Sequence, residues 1–196
     1  YNYADYLTIN ISSPNTQNLR DLQNEKQLQI LLEAIDQQKN QLQKTTKKNI
    51  PILLKIAPDL DIAQQQAICE VVINSQISGI IISNTTISRN FNLKSKNHLE
   101  TGGLSGKPLY LPSNQVLRNV YKFTKGKIPL IGVGGIFNAQ DAYEKIRCGA
   151  SLVQIYSAFI YEGFGLVEKI KKDLSLMIKR DGFKNIQQAI GVDNLQ

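Results

Sequence analysis

Three short runs in this chain, PILLKIA (51–57), SGIIISN (78–84) and PLIGVG (129–134), are apolar at nearly every position rather than at alternate ones. A strand with one wet face alternates, so a strand that is apolar throughout has to be covered on both faces. Parallel sheets meet that condition, because their crossover connections lay helices against the sheet. The sequence supplies those helices. EKQLQILLEAIDQQKNQLQ (25–43) carries Leu28, Leu31, Leu32, Ile35 and Leu42 on one broad face. Pro58 ends the run before it, and Asp61 is placed to cap a helix that reaches Asn74. Ser113 is placed to cap another that runs to Phe123. NAQDAYEKIRCG (138–149) reads as a short helix stopped by glycine, and a last helix spans Gly165 to Arg180. With DYLTINI (5–11) and SLVQIYS (151–157) as first and last strands, the chain reads as five βα units.

No glycine-rich dinucleotide fingerprint follows the first strand. Polar residues gather instead just past the carboxyl ends of the strands, the face that carries chemistry in a (β/α)8 TIM barrel. Such a barrel closes with eight strands. Residues 1–196 are therefore expected to be the carboxyl-terminal part of a single α/β barrel domain, about its last five βα units. An open five-stranded parallel sheet is the alternative. Alone, the arc would leave an apolar strand edge near Asp5, so residues 1–196 by themselves are expected to fold poorly and to be inactive.

A formal charge of +7, from 23 basic and 16 acidic side chains, raises nucleic acid or an anionic membrane as partners. The lysines, however, are dispersed along helices and turns. Their densest cluster, KTTKKN (44–49), reads as a solvated face. No basic groove interleaved with aromatics is present, so no nucleic-acid partner is expected. Cys69 and Cys148 lie far apart in expected helices and read as buried thiols, and His98 is the lone histidine. No metal site is expected from that set. No run reaches the roughly 18 apolar residues of a spanning helix. The stretch TTISRNFNLKSKNHLETGGLSGKPLYLP (85–112) exceeds the usual length of a connection, which points to functional work there.

Six segments, NISSPNTQNLRDLQ, KIAPDL, ISNTT, TGGLSGKPL, IPLIGVGGI and GASLVQIYSAFIYEG, together resemble the class 2, quinone-linked dihydroorotate dehydrogenases. The resemblance covers nearly the whole chain and keeps the motifs in order at strand ends. It implies an FMN-dependent (β/α)8 barrel that oxidises dihydroorotate to orotate in de novo pyrimidine biosynthesis and passes electrons to a membrane quinone. It also implies a peripheral membrane location, on the cytoplasmic side of a bacterial inner membrane or on the mitochondrial inner membrane. The membrane contact would come from an amino-terminal segment preceding these residues.

By the same resemblance Ser13 is the catalytic base, and Asn10, Asn15, Asn84 and Thr85 hold the orotate ring. Asn10 also approaches the flavin, Lys55 lies beside the isoalloxazine, and Ser83 stands where the family often has threonine. Gly106, Gly135, Tyr156 and Ser157 surround the ribityl chain and phosphate. Serine rather than cysteine at position 13 favours class 2. Gln17-Asn18 replaces the family's usual Pro-Gly, and Asn18 tolerates a left-handed backbone.

The residues read by themselves leave alternatives open. An amide offers a donor and an acceptor, which suits a planar uracil-like ring, yet each asparagine could instead cap its own loop. Ser13 before Pro14 is a base or a turn residue, and no histidine adjoins it to activate it. Lys55 inside an apolar run either puts positive charge near a flavin's pyrimidine edge or snorkels to solvent. GVGGI (132–136) and the segment after Tyr156 suit a phosphate, but glycines are also common at turns without a ligand. Two other functions follow from these alternatives. One is a phosphate-binding TIM-barrel isomerase or aldolase without flavin, with Lys55 as a Schiff-base lysine. The other is a non-catalytic binding module. A serine hydrolase is disfavoured by the lack of a Gly-x-Ser-x-Gly elbow.

Overall fold

The computed structural model describes residues 1–194. Five strands are present there: β1 (Leu7–Asn10), β2 (Ile52–Ile56), β3 (Gly79–Ile82), β4 (Leu130–Val133) and β5 (Leu152–Gln154). They lie in the order β1-β2-β3-β4-β5, and every neighbouring pair is parallel. A doubly wound sheet reverses its strand order at a switch point. Here each strand adds beside the one before it, which is how a (β/α)8 barrel is built. The molecule is an arc of five consecutive βα units of such a barrel.

The helices are α1 (Glu25–Thr46), α2 (Ile62–Ile73), α3 (Tyr110–Thr124), α4 (Ala139–Arg147), α5 (Ser157–Glu162) and α6 (Gly165–Arg180). Side chains alternate along a strand, so each strand presents two rows. Ile52, Leu54, Ile56, Ile80, Ile82 and Leu130 form one core with Leu28, Leu32, Ile68, Val72 and Leu117 of the helices. Fully burying one such aliphatic side chain contributes on the order of 1.5–3 kcal/mol. The other row, Leu53, Ile81 and Ile131, makes a small separate cluster on the inner face. Lys55 belongs to that inner row. So does Asn10, because Leu7 and Ile9 pack toward the helices. A further core joins α4 to α6 through Tyr143, Ile146, Leu166 and Ile170.

The register pairs Asn10 with Lys55 and Lys55 with Ile81. The inner-face polar residues thereby fall on one level of the arc. Asp61 caps α2 as expected, with Oδ1 accepting from Gln64 N at 2.8 Å. Asn18 takes the left-handed conformation, with φ 59°.

Two details depart from the sequence reading, and two more were not read from it. α3 begins at Tyr110, so Ser113 lies buried inside it and is no cap. The last strand stops at Gln154, and α5 takes Ser157 into a helix. Lys39 and Lys145 are buried. Their ammonium groups are satisfied by Gln76 O at 3.1 Å and by Ser113 Oγ and Asn114 Oδ1 at 2.6 and 2.7 Å. Short helical turns at Ile186–Ala189 and Val192–Asn194 fold back, and Gly191 N donates to Ile146 O at 3.0 Å. No described helix is long and apolar enough to cross a membrane.

Candidate active site

The carboxyl ends of β1, β2 and β3 bring two amides and a lysine to the inner face. Asn10 Oδ1 accepts from Ser12 Oγ at 2.9 Å and from Asn84 Nδ2 at 3.1 Å. Asn84 Nδ2 also donates to Ser12 Oγ at 3.0 Å, and Asn84 Oδ1 accepts from Thr85 N at 2.8 Å. The bonds that close this cluster use both side-chain oxygens and the Asn84 donor. They leave Asn10 Nδ2 without a partner among the described residues, free to donate to a ligand.

Ser12 is a residue the sequence reading passed over in favour of Ser13. It is fully buried and joins the two amides. Its signal was the period of an extended chain, which puts residues 10 and 12 on one side. Ser13 is half-buried, and its Oγ accepts from Asn15 N at 3.3 Å. That bond makes Ser13 a turn residue, and the turn leaves its hydroxyl proton free to be given up or replaced.

Gly103 sets how the long 85–112 segment lies against this loop. A Cβ there would fall 1.9 Å from Thr85 Oγ1 and 3.0 Å from Pro14 Cγ. With no side chain, the segment packs directly on both. A β-bridge between Thr86 and Leu104 fixes that approach, with N···O distances of 3.1 and 2.8 Å. Arg89 donates to the carbonyls of Glu100 and Gly102, each at 2.8 Å, and ties off the excursion.

Lys55 is half-buried and has no hydrogen-bond or ion-pair partner among the described residues. Burial pushes its ammonium below the ordinary lysine pKa. It faces a cavity of about 230 Å³ whose walls include Ser83, Asn84, Gly135, Gln154 and Tyr156. Sites that enclose a drug-sized ligand hold roughly 300–1,000 Å³, and an arc of five strands walls only one side. Ser83 is buried and turns its hydroxyl to Asn84 O at 3.0 Å.

The far end of the cavity is a cradle of backbone. Gly106, Gly134 and Gly135 have φ of 82°, 116° and 74°. A Cβ on Gly135 would stand 2.6 Å from Tyr110 N and Cα, so the turn can be made there only by glycine. Ser105 Oγ and Ser157 Oγ lie 3.0 Å apart at the same end. Behind the turn, Ser113 Oγ lies 3.3 Å from Gly134 O while Lys145 donates to it. Burial lowers the Lys145 pKa to about 8, against smaller raising effects of Cys148 and Asp141.

The structure gathers Lys55, Ser83, Asn84, Thr85, Gly106, Gly135, Tyr156 and Ser157 on one cavity. Asn10 joins them through Asn84. Ser13 and Asn15 sit on the adjoining loop rather than on the cavity wall. The Tyr156 ring is turned largely outward, 77% exposed.

Residues 1–178 match the profile of the family described as dihydroorotate dehydrogenase. The chain is 49% identical over 194 residues to "Dihydroorotate dehydrogenase (quinone), mitochondrial" of Arabidopsis thaliana, covering 98% of this chain and 42% of that protein. It is 47% identical to "Dihydroorotate dehydrogenase (quinone)" of Cereibacter sphaeroides strain KD131, covering 96% of this chain and 52% of the other. The crystal structure of the Eimeria tenella DHODH in complex with ferulenol superposes with a TM-score of 0.94 at 36% identity. That match covers all of this chain and 55% of the other. The chain thus spans about half the length of the relatives it matches.

Proposed function

Because this chain belongs to the dihydroorotate dehydrogenase family, we propose that it is the carboxyl-terminal part of a single FMN-binding (β/α)8 barrel that oxidises dihydroorotate to orotate in de novo pyrimidine biosynthesis and delivers the electrons to a membrane quinone. Family membership implies FMN binding. The observation that carries the reading is Lys55. This unpaired, half-buried ammonium shares one cavity with the Asn84 amide and with a glycine cradle. FMN presents the same sequence of chemistry: a pyrimidine edge that gains negative charge on reduction, a polyol chain and a phosphate.

The residues present fit that group. Lys55 would meet the pyrimidine edge, with Asn10 and Ser83 beside the ring. Gly106, Gly135, Tyr156 and Ser157 would take the ribityl chain and phosphate, through N–H groups that glycine turns leave accessible. When bound, FMN supplies the hydride acceptor. The chain's own residues orient the substrate and remove its proton. The free Nδ2 of Asn10 donates to a ring carbonyl, and Asn84, Thr85 and Asn15 complete the grip. Making the ring C=C bond requires one carbon to lose a proton as its neighbour loses a hydride. Ser13 Oγ is the base for that proton, and its half-exposed loop gives the proton a path outward.

The partners are then dihydroorotate, orotate and a quinone. Membrane contact is peripheral, through an amino-terminal segment outside these residues, at a bacterial or mitochondrial inner membrane. The relatives' names support this location: one is called mitochondrial, and both are called quinone enzymes.

The test is spectroscopic. The full-length protein carrying this sequence should purify with a flavin spectrum, bleach anaerobically on addition of dihydroorotate and recover on addition of quinone. Absence of flavin absorbance, together with no FMN binding on titration, would reject the reading. The lowered pKa of Lys55 also suits an imine-forming amine. A flavin-free protein trapped at Lys55 by borohydride with a carbonyl substrate would establish that second reading.

A further inference from the structure

We propose that Arg20, locked by Asp59, is a positioning residue that holds the Ser13 loop in register with the Asn84 amide. The proposal rests on the functional reading above. Arg20 lies on the short helical turn Leu19–Gln23, just past the serine loop. Its Nε donates to Ser12 O at 3.0 Å, one N–H group to Thr85 O at 2.9 Å, and the other to Asp59 Oδ2 at 2.8 Å. These partners sit on the loops that follow β1, β3 and β2. One guanidinium therefore joins all three loops through their backbone carbonyls and a carboxylate.

Asp59 extends the joint. Its Oδ1 accepts from Thr86 Oγ1, and its Oδ2 from Ile87 N at 3.2 Å. The arginine is itself anchored, because Gln23 Nε2 donates to Arg20 O at 3.4 Å and Gln23 Oε1 accepts from Ala57 N at 2.9 Å. Both side chains of the ion pair are 21% exposed, so the pair is a weak stabiliser and its value is geometric.

Position explains why this geometry bears on the reaction. The carbonyl of Ser12 is bonded to the nitrogen of Ser13, and the carbonyl of Thr85 belongs to the residue after Asn84. Fixing both carbonyls on one rigid plane fixes the base relative to an amide that orients the substrate. Lysine cannot replace this arrangement, since it lacks a fork of donors held at set angles. Misplacement of a reacting group by about 1 Å lowers rates by roughly a hundredfold.

The test uses the full-length protein with Arg20→Lys, and with Asp59→Asn as the milder variant should Arg20→Lys fail to fold. Flavin content should be unchanged. The rate of flavin reduction at saturating dihydroorotate should fall at least about 30-fold in Arg20→Lys and about 3–10-fold in Asp59→Asn. The KM should move less than kcat. Amide hydrogen exchange at residues 13–17 and 84–87 should rise at least about tenfold, while β1 to β4 keep their protection. Unchanged kcat, or unchanged exchange in both loops, would overturn the proposal. Exchange reads the clamp independently of turnover. A wild-type protein that fails to reduce flavin rejects the functional reading alone.

Discussion

Asn84 Nδ2 donates to Asn10 Oδ1 at 3.1 Å, although Asn10 ends β1 and Asn84 lies two residues past the end of β3, a strand that is not its neighbour. β2 lies between β1 and β3, and two strand spacings amount to roughly 9.5 Å. The two amides therefore reach over the end of β2, where Lys55 occupies the inner row. Their hydrogen bond spans the end of β2, and in the proposed reading a planar ligand would lie against it with the Lys55 ammonium nearby.

Changing Asn84 to Asp keeps the shape and replaces the donating nitrogen with an anionic oxygen facing Asn10 Oδ1. Orotate is itself an anion. Losing one hydrogen bond and adding like-charge repulsion at a part-buried site should weaken orotate binding about 100-fold, or near 3 kcal/mol. Asn84→Ala should weaken it about tenfold. Titration of the flavin spectrum with orotate measures both values. Equal affinities in the two variants would show that a charge beside Asn10 is not felt at the orotate site.

Ser13→Ala should slow flavin reduction by dihydroorotate at least about a hundredfold, the lower end for loss of an acid–base group. Orotate affinity should hardly change, since the buried residue of the pair is Ser12. Ser13→Cys should recover part of the rate as pH rises, because a thiol ionises near 8.5 and an alcohol does not. Stopped-flow reduction is the measurement, and a wild-type rate in Ser13→Ala would remove the residue from the chemistry.

Gly135→Ala places a Cβ 2.6 Å from backbone atoms of Tyr110 at a φ of 74°. The left-handed conformation alone costs roughly 1–2 kcal/mol for a side-chain-bearing residue, and the clash adds to it. FMN affinity should drop at least about tenfold as the turn opens. Flavin content per protein, checked against an unchanged circular dichroism spectrum, reads the effect. Full flavin retention would show that the cradle is not the phosphate site.

Lys145 predicts a stability signature. Burial lowers its pKa to about 8 from the ordinary lysine value of 10.5. Below pH 8 both folded and unfolded states hold the proton, and the folded state bears the full penalty of a buried ammonium. Between about 8 and 10.5 the unfolded state binds more protons, so stability rises with pH. Relative to Lys145→Met, the unsubstituted protein should gain about 1–1.5 kcal/mol between pH 7 and 9, or about 3–5 °C in Tm. Stopping at pH 9 stays below the folded-state ionisation of Cys148, which burial raises to about 11. Paired thermal melts test this, and parallel Tm profiles would contradict it.

The five βα units were legible because a strand covered on both faces leaves a local mark, as in the Ile80–Ile82 run. The amides were legible too, since Asn10 and Asn84 stand where such strands end. Helix α3 was misplaced because Ser113 was read as its cap, whereas the helix begins at Tyr110 and tolerates Pro112 in its first turn. Arg20 left no mark, because its partners Asp59 and Thr85 are 39 and 65 residues away. Lys145 looked like any lysine of an amphipathic helix, and its burial depends on Ser113 and Asn114, more than 30 residues earlier. Local pattern shows which face a residue occupies, and long-range hydrogen bonding does not register in it.

The reach of Asn84 to Asn10 over β2 also sets where the chain can change length. Asn84 N donates to Ile56 O at 2.9 Å, and a residue inserted just past Ile56, before Asp59, would pull the carboxylate from Arg20 at the edge of that contact. Residues 94–99 are all exposed. Additions or deletions there would be absorbed by solvent, while the ends of the excursion stay pinned by Arg89 and by the Thr86–Leu104 bridge. Two loops on the same rim thus differ in their tolerance of indels.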